Sequence, residues 1–546
     1  MKKDISLLLA DSLKDALKEL GLFADIKEEL YLDIPVDMRF GDLSSNVAMK
    51  LASILKKSPR QVASEVVEKL KAKLDKPGLK ENIKEIKIEG AGFINFFLSD
   101  DYFYGQIKHL LEKGADYFKS DTGKGLSVLL EFVSANPTGS LSVAHARQAA
   151  VGDILANVLA CLGYKVTKEY YLNDEGNQIN ILGKSVGLRK KELAGEKIEF
   201  PEDHYQGEYI YDIAKAAKEA NVKDEDLGVF AGNYILDIIK KELSAFGVNF
   251  DVWYSQKSLR EKGKIEKAFA LLEKKGFLYK QDGALWFKST QFGDDKDRVV
   301  IKSDGAHTYL APDIAYHEDK FKRGFKMLIN LWGPDHHGYI NRLKAAVAAL
   351  GENPDSLHIL IVQLASIFRA GKPVQMSTRR GQYITLQEVL DEVGRDAARY
   401  FFIMRKISSH LDFDLEVAKK QTPENPVFYV QYAHARISNI LKNAPVDIKY
   451  SDADLSLLKE KEEIFLIKKI YQFRDTLNVC LKTLDPYALT CYLGELSEAF
   501  HKFYDLHRVL GADSALTEAR LALIRAAQIA IAAGLDLAGV TRPEKM

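Results

Sequence analysis

The chain reads as an α/β protein: a doubly wound parallel sheet, preceded by a smaller α+β unit and followed by an all-helical one. Three observations predict this. Between about residues 116 and 424, apolar strand-like runs alternate with helical patterns, the signature of βα repetition. Residues 1 to about 115 pair helical patterns with two adjacent strand-like runs. From about 425 to 546 the periodicity is helical throughout, without a strand signal.

In the first segment, helical spacing covers 4–20 and 60–74, and the turn Phe40-Gly41-Asp42-Leu43-Ser44-Ser45-Asn46 feeds a helix over 47–55. A strand pair is predicted at 86–89 and 92–98, after a charge-dense loop from Lys71 to Lys84. The central segment opens with a buried-type strand, Val128 to Val133. A helix follows, with Val151, Ile154, Leu155, Val158, Leu159 and Leu162 at i, i+3, i+4, i+7, i+8 and i+11. Next come a strand at 164–171, a charged and mostly helical insertion at about 185–265, a strand at 327–332, a helix at 340–350 and a strand at 359–364. In the last segment, three amphipathic stripes run from Ile464 to Phe473, Leu493 to Leu506 and Leu521 to Leu535.

Composition narrows the function classes. In 546 residues, 77 Lys and Arg balance 77 Asp and Glu, so any nucleic-acid surface has to be a local patch rather than a global charge. Cys161, Cys480 and Cys491 are too scattered for a disulfide framework or a zinc cage. No apolar stretch looks long enough and free enough of charge to span a bilayer. The N-terminal apolar run is broken by Asp11 and Lys14, as suits an amphipathic helix rather than a signal peptide. The expectation is a reduced, cytoplasmic, multidomain protein.

The chemistry concentrates in loops that follow strands, where open α/β sheets bind ligands. Ser134-Ala-Asn136-Pro137-Thr138-Gly139-Ser140-Leu141-Ser142-Val-Ala-His145 joins the first strand of the central segment to its helix. A Pro/Gly turn delivering His145 to a helix start places an imidazole and free N–H groups where a phosphate can bind; a plain connection has the same outline. Gly333-Pro334-Asp335-His336-His337-Gly338 follows the strand at 327–332. Adjacent His residues diverge, so nucleotide contact is favoured over a shared metal ion. Tyr309 and Asp313, four apart, would share a helix face and suit a guanidinium, with the carboxylate taking its planar fork. Gly371 to Gly381 (GKPVQMSTRRG) is a cationic loop bounded by glycines, whose Lys372, Arg379 and Arg380 could offset polyphosphate charge. Tyr429, Tyr432 and Arg436, at i, i+3 and i+7, form a stripe suited to stacking unpaired bases or to packing at a domain junction.

Taken in order, these and further segments resemble the arginyl-tRNA synthetase family of class I aminoacyl-tRNA synthetases. They are FGDLSSNVAM, EFVSANPTGSLSVAHARQ, YLNDEGNQI, FDVWYS, DGALWF, STQFGDDKDRVV, TYLAPDIAYH, WGPDHHGYINRLKAA, MSTRRG, DEVGRDAARYFF, SSHLDFDL and ENPVFYVQYAHARI. The resemblance implies a Rossmann-type catalytic domain that forms arginyl-adenylate from L-arginine and ATP, with Mg²⁺ carried by the substrate, and then charges tRNA-Arg. It implies an N-terminal domain touching the tRNA, with Asn46 in its contact segment, and a C-terminal helical domain reading the anticodon through Tyr429, Tyr432 and Arg436. It implies that Ser134, Asn136, Tyr309, Asp313 and Gln363 hold arginine. Pro137, Thr138, Gly139, His145, Gly333, Asp335, His336 and His337 would hold ATP. His145, Ser142, Met376, Ser377 and Arg379 would serve catalysis, with no protein-held metal. A monomer away from membranes is implied as well.

Three departures from the family pattern stand out. Ser142 and Ala144 replace a His and a Gly of the nucleotide signature. Gln375-Met376-Ser377-Thr378 lacks both lysines of the usual loop, and Thr138-Gly139-Ser140-Leu141 carries no lysine in their place. Gln256-Lys257 stands where a Glu is common.

Overall fold

A computed structural model describes residues 5–23, 30, 32–35, 37–374, 383–444, 448–511 and 513–546. The chain forms two compact units. One comprises 1–117, 440–475 and 498–530, and the other comprises 118–439, 476–497 and 531–546.

The first unit is built on a three-stranded antiparallel sheet of order β1-β3-β2, from β1 (Leu43–Ser45), β2 (Ile83–Glu89) and β3 (Phe93–Leu98). Its segment 1–117 adds α1 (Ile5–Glu19), α2 (Val47–Leu55), α3 (Pro59–Lys73) and α4 (Asp100–Lys113). The start of α3 is fixed locally, because Ser58 and Gln61 cap each other's backbone N–H groups and Pro59 opens the helix. The expected turn before α2 contains β1, a short strand that periodicity cannot reveal. The Asp42 carboxylate secures it by accepting the Leu98 N–H at 2.8 Å and Lys468 Nζ at 2.6 Å. Lys468 lies on the helix Lys461–Tyr471, whose Tyr471 hydroxyl meets that of Tyr102 on α4 at 2.9 Å.

The second unit holds the five-stranded parallel sheet that the alternating pattern predicts. Its strands are β4 (Ser127–Glu131), β5 (Lys165–Leu172), β6 (Val252–Ser255), β10 (Met327–Trp332) and β11 (Leu357–Ile361). The spatial order is β11-β10-β4-β5-β6, with all neighbours parallel. The chain runs outward from β4 to β6, then returns to the other side of β4. A crevice therefore opens between β4 and β10, where successive connections leave in opposite directions. The insertion contributes α6 (Asn177–Leu193), α7 (Tyr209–Glu219), α8 (Leu227–Ala245) and the short α9 (Lys257–Glu261), and α10 (Lys264–Lys274) follows it. The insertion also contains β6, an edge strand of only four residues that is too short to show a period. The segment 278–301 forms an antiparallel sheet of β7 (Leu278–Gln281), β8 (Ala284–Phe287) and β9 (Arg298–Ile301), which sequence patterning did not reveal. Another small sheet joins β12 (Ala365–Arg369) to β13 (Lys372–Pro373) and β14 (Leu411–Asp414).

The helix α5 (Val143–Cys161) follows β4 and is buried on nearly every face. Gly152 permits this: a Cβ there would stand 2.4 Å from the Phe132 ring, so helix and strand end meet without a side chain between them. One helix, Ser514–Ala538, is long and apolar enough by composition to cross a membrane, against the sequence expectation. However, 78 % of its most apolar window is buried inside the protein, as in a core helix.

Candidate active site

The site takes shape where β4 ends. Val133 and Ser134 both adopt positive φ, 66° and 41°, a costly conformation for two consecutive non-glycine residues and doubly so for a β-branched one. The Ser134 hydroxyl holds this kink in place. It donates to Glu131 Oε1 at 3.2 Å and accepts the Tyr171 N–H at 3.1 Å. The kink sends Asn136 toward the end of β5, where its amide donates to Gln178 at 2.7 Å and accepts from Asn173 at 2.5 Å.

Beyond Pro137 the loop is held from three sides. The Tyr209 hydroxyl donates to Thr138 O at 2.6 Å, and that of Tyr383 donates to Ser140 O at 2.9 Å. Glu242, buried on α8, accepts the Leu141 N–H at 3.1 Å, and burial raises its carboxyl pKa. Gly139 sits between the two phenols, and a Cβ there would lie 3.1 Å from the Tyr383 oxygen.

Ser142 caps α5 in extended conformation, and its N–H donates to His145 Nδ1 at 3.2 Å. Nδ1 is thereby an acceptor, and the ring proton resides on Nε2. Desolvation lowers the imidazole's pKa to about 4, so His145 is a neutral donor at neutral pH. Five residues on from Ser142, Arg147 is wholly buried and gathers the connections behind the crevice. Nη1 donates to Gln363 O at 2.7 Å and Ser409 O at 2.9 Å, and Nη2 donates to Lys406 O at 3.0 Å. Gln363 thus follows β11 on a backbone that an arginine fork fixes.

Across the crevice, Pro334–Tyr339 forms a 3-10 turn after β10 and exposes Asp335, His336 and His337. Gly333 packs tightly here, since a Cβ would come within 2.7 Å of Asp335 Oδ1. Helix α11 (Leu310–Lys322) brings Asp313 to the same end of the sheet. The sequence paired Asp313 with Tyr309, but Tyr309 precedes the helix and is 87 % exposed. The phenol that donates to Asp313 is Tyr339, at 2.7 Å to Oδ2, brought in by the turn that carries the two His residues. Burial raises the Asp313 carboxyl to about pH 6; Tyr339 opposes that rise and the charge of Glu131 adds to it.

Behind Asp313 lies a buried polar network that motif reading missed. Lys320, fully buried, donates to Glu131 Oε2 at 2.5 Å and to Asn330 Oδ1 at 3.0 Å. Asn330 donates to His317 Nε2 at 3.0 Å, and His317 Nδ1 donates to Asp313 O at 2.8 Å. Glu169 accepts Tyr316 at 2.5 Å and both terminal nitrogens of Arg323 at 2.5 and 2.9 Å. Four carboxyl groups (Glu131, Glu169, Asp313 and Asp319) face three cations (Lys320, Arg323 and Lys264). Once Asp313 ionises, this cluster is one positive charge short. The signal was present as i+3 and i+7 spacing from Asp313 to Tyr316 and Lys320 on α11, but an amphipathic helix explains that pattern equally well.

Asn46 precedes α2, half-buried, in the first unit. Tyr429, Tyr432 and Arg436 lie on the helix Pro426–Lys442, with Arg436 5.9 Å from the centre of the Tyr432 ring and the Phe428 ring stacked 6.2 Å from it. Met376, Ser377 and Arg379 lie outside the described residues. Lys372 is exposed on β13. Gln256 precedes the short helix Lys257–Glu261, with its N–H bonded to Leu172 O at 2.9 Å.

Known proteins match this arrangement over the whole chain. Residues 7–98 match the arginyl tRNA synthetase N terminal domain, 106–439 match the catalytic domain of class I (R) tRNA synthetases, and 430–546 match the DALR anticodon binding domain. The arginine–tRNA ligase of Geobacillus thermodenitrificans is 46 % identical over 98 % of both chains, and that of Carboxydothermus hydrogenoformans is 44 % identical over the same share. Among solved structures, a putative arginyl-tRNA synthetase from Campylobacter jejuni superposes with TM-score 0.77 at 36 % identity, covering 82 % of this chain and all of that one. The Thermus thermophilus arginyl-tRNA synthetase shares the fold over the full length of both chains, with TM-score 0.80 at 24 % identity. The chain belongs to the arginine–tRNA ligase family of class I aminoacyl-tRNA synthetases, which join arginine to tRNA.

Proposed function

We propose that the crevice between β4 and β10 divides the labour of arginine activation between a cation pocket and a nucleotide edge. Asp313 takes the guanidinium of L-arginine, and the buried cluster behind it gains the positive charge it lacks. Tyr309 is exposed at the pocket's rim and packs on the substrate. Ser134, Asn136 and Gln363 orient the α-amino and carboxylate end from loops whose backbones are tied down. This reading rests most on one observation, a desolvated carboxylate in a cluster short of one cation.

On the nucleotide edge, Pro137, Thr138 and Gly139 offer backbone to ATP, and Gly333, Asp335, His336 and His337 border the opposite side. His145 presents Nε2–H, and Ser142 a hydroxyl, at the positive end of α5. The arginine carboxylate attacks the α-phosphorus and the bond to the β-phosphate oxygen breaks. Pyrophosphate leaves with Mg²⁺, which arrives as part of the substrate and offsets charge on the phosphates. Met376, Ser377 and Arg379 serve the same phosphates from the cationic loop. A terminal ribose hydroxyl of tRNA-Arg then attacks the adenylate carbonyl and AMP departs. Asn46 on one unit and the stripe of Tyr429, Tyr432 and Arg436 contact the tRNA. We place the enzyme in the cytoplasm, as a monomer.

The test is calorimetric titration of the full chain, with tRNA-Arg present and ATP omitted, against L-arginine, L-lysine and L-citrulline. Arginine alone should bind in the micromolar to millimolar range usual for such substrates. Binding of citrulline as tight as that of arginine would refute the cation pocket.

A further inference from the structure

Tyr171 is the penultimate residue of β5 and only 7 % exposed, yet its hydroxyl is buried without a hydrogen-bond partner among the described residues. Such an oxygen is costly in an apolar interior, and a resting protein gains nothing by keeping it. Every other part of the residue is fixed. Its N–H donates to Ser134 in the kink after β4, and it pairs with Tyr254 across β5 and β6. Its ring stacks 4.4 Å from Tyr316 on α11 and 6.3 Å from Tyr254. Asp313 lies three residues before Tyr316 on the same helix, so the two occupy one face, with Asp313 nearer the strands' carboxyl ends. Asp313 is the charge that acts most strongly on the Tyr171 phenol, ahead of Glu131. Tyr339 occupies Asp313 Oδ2 and, among the described residues, nothing bonds to Oδ1. An unused carboxylate oxygen on α11 and an unused phenol oxygen, on a ring stacked against that same helix, are therefore near neighbours.

We propose that Tyr171 reads the guanidinium: its hydroxyl oxygen accepts one N–H of the substrate side chain while Asp313 accepts others. A guanidinium has five N–H donors in a planar fork, more than one carboxylate can receive, and an uncharged acceptor beside the carboxylate uses a donor that would otherwise be buried unpaired. A compact ammonium held by Asp313 would leave the phenol empty, so the residue favours arginine over lysine. This rests on the assignment of Asp313 as the arginine pocket.

The experiment compares the full-length wild type with Tyr171→Phe in arginine-dependent ATP–pyrophosphate exchange with tRNA-Arg present, using agmatine as inhibitor. Phenylalanine keeps the stacked ring and removes only the unpartnered oxygen. The arginine KM should rise roughly ten- to hundredfold, as for loss of a hydrogen bond to a charged group. The agmatine inhibition constant should rise by the same factor, because agmatine has the guanidinium without the carboxylate. The ATP KM should stay within twofold, and the unfolding temperature without arginine should be no lower than that of the wild type. An unchanged arginine KM, or a loss seen with arginine and not with agmatine, overturns the proposal. A variant that fails to fold also overturns it, since an oxygen without a partner in the protein cannot be required for folding. A wild type that shows no arginine-dependent exchange removes the pocket assignment itself, whereas an active wild type matched by Tyr171→Phe removes only the role of Tyr171.

Discussion

The backbone N–H of Ser142 donates to Nδ1 of His145 at 3.2 Å, and this bond decides which proton the imidazole offers. With Nδ1 engaged as acceptor, the ring proton resides on Nε2, the donor proposed for the nucleotide edge. Burial holds the pKa near 4, so the ring stays neutral above about pH 5. At saturating substrates, kcat should therefore show no titration attributable to His145 between pH 5.5 and 8. His145→Ala should lower kcat by about 10²–10³, the usual cost of removing one preorganised donor. Pyrophosphate exchange across that pH range checks both.

Asp313 supplies the opposite behaviour. Its folded pKa, raised by burial to about 6, leaves it protonated in more acidic solution, and only the carboxylate receives a guanidinium. kcat/KM for arginine should be flat above about pH 7 and fall about tenfold per unit well below pH 6. Arginine binding near pH 6 should release a fraction of a proton, visible as a buffer-dependent heat in calorimetry. The stability sign agrees: a carboxyl with a raised folded pKa costs the unliganded fold stability as pH climbs from about 4 to 6, and arginine returns it. Asp313→Asn should abolish the pH step and weaken arginine binding by at least about a hundredfold.

Lys320 is buried between Glu131 and Asn330, and removing it leaves a buried carboxylate without its cation. Lys320→Met should cost about 3–5 kcal/mol, and the double change with Glu131→Gln should recover part of that loss. Urea denaturation followed by far-ultraviolet circular dichroism measures the difference.

Arg147 holds four carbonyls from two connections with one planar fork, a geometry that lysine cannot reproduce. Arg147→Lys should raise the arginine KM roughly tenfold through misplacement of Gln363, with a smaller change in the ATP KM. Steady-state exchange kinetics separates the two constants.

Much of the sheet was legible because βα repetition carries two distinct periods, and the loops that follow β4 and β10 were among those singled out. Two features escaped. β6 and the strands of 278–301 run to four residues each, too short for alternation to emerge. The partners of the site residues come from distant sequence: Tyr339 lies 26 residues beyond Asp313, and Glu242 lies 101 beyond Leu141. No local pattern encodes such pairs. Tyr309 was assigned to Asp313 by helix spacing, but the helix begins one residue too late to carry it. The replacement of the signature's first His is intelligible in the structure, where Ser142 serves as helix cap and meets His145 through both N–H and hydroxyl.

The central claim is that this crevice activates arginine and charges tRNA-Arg with Ser142 in place of a histidine and without lysines at Gln375 and Thr378. The most direct measurement is acid-precipitable radiolabel after mixing the full chain, L-[¹⁴C]arginine, ATP and tRNA-Arg. ATP-dependent label on tRNA-Arg, and none when labelled lysine replaces arginine, is the predicted result. Absence of arginyl-tRNA at micromolar enzyme would contradict it.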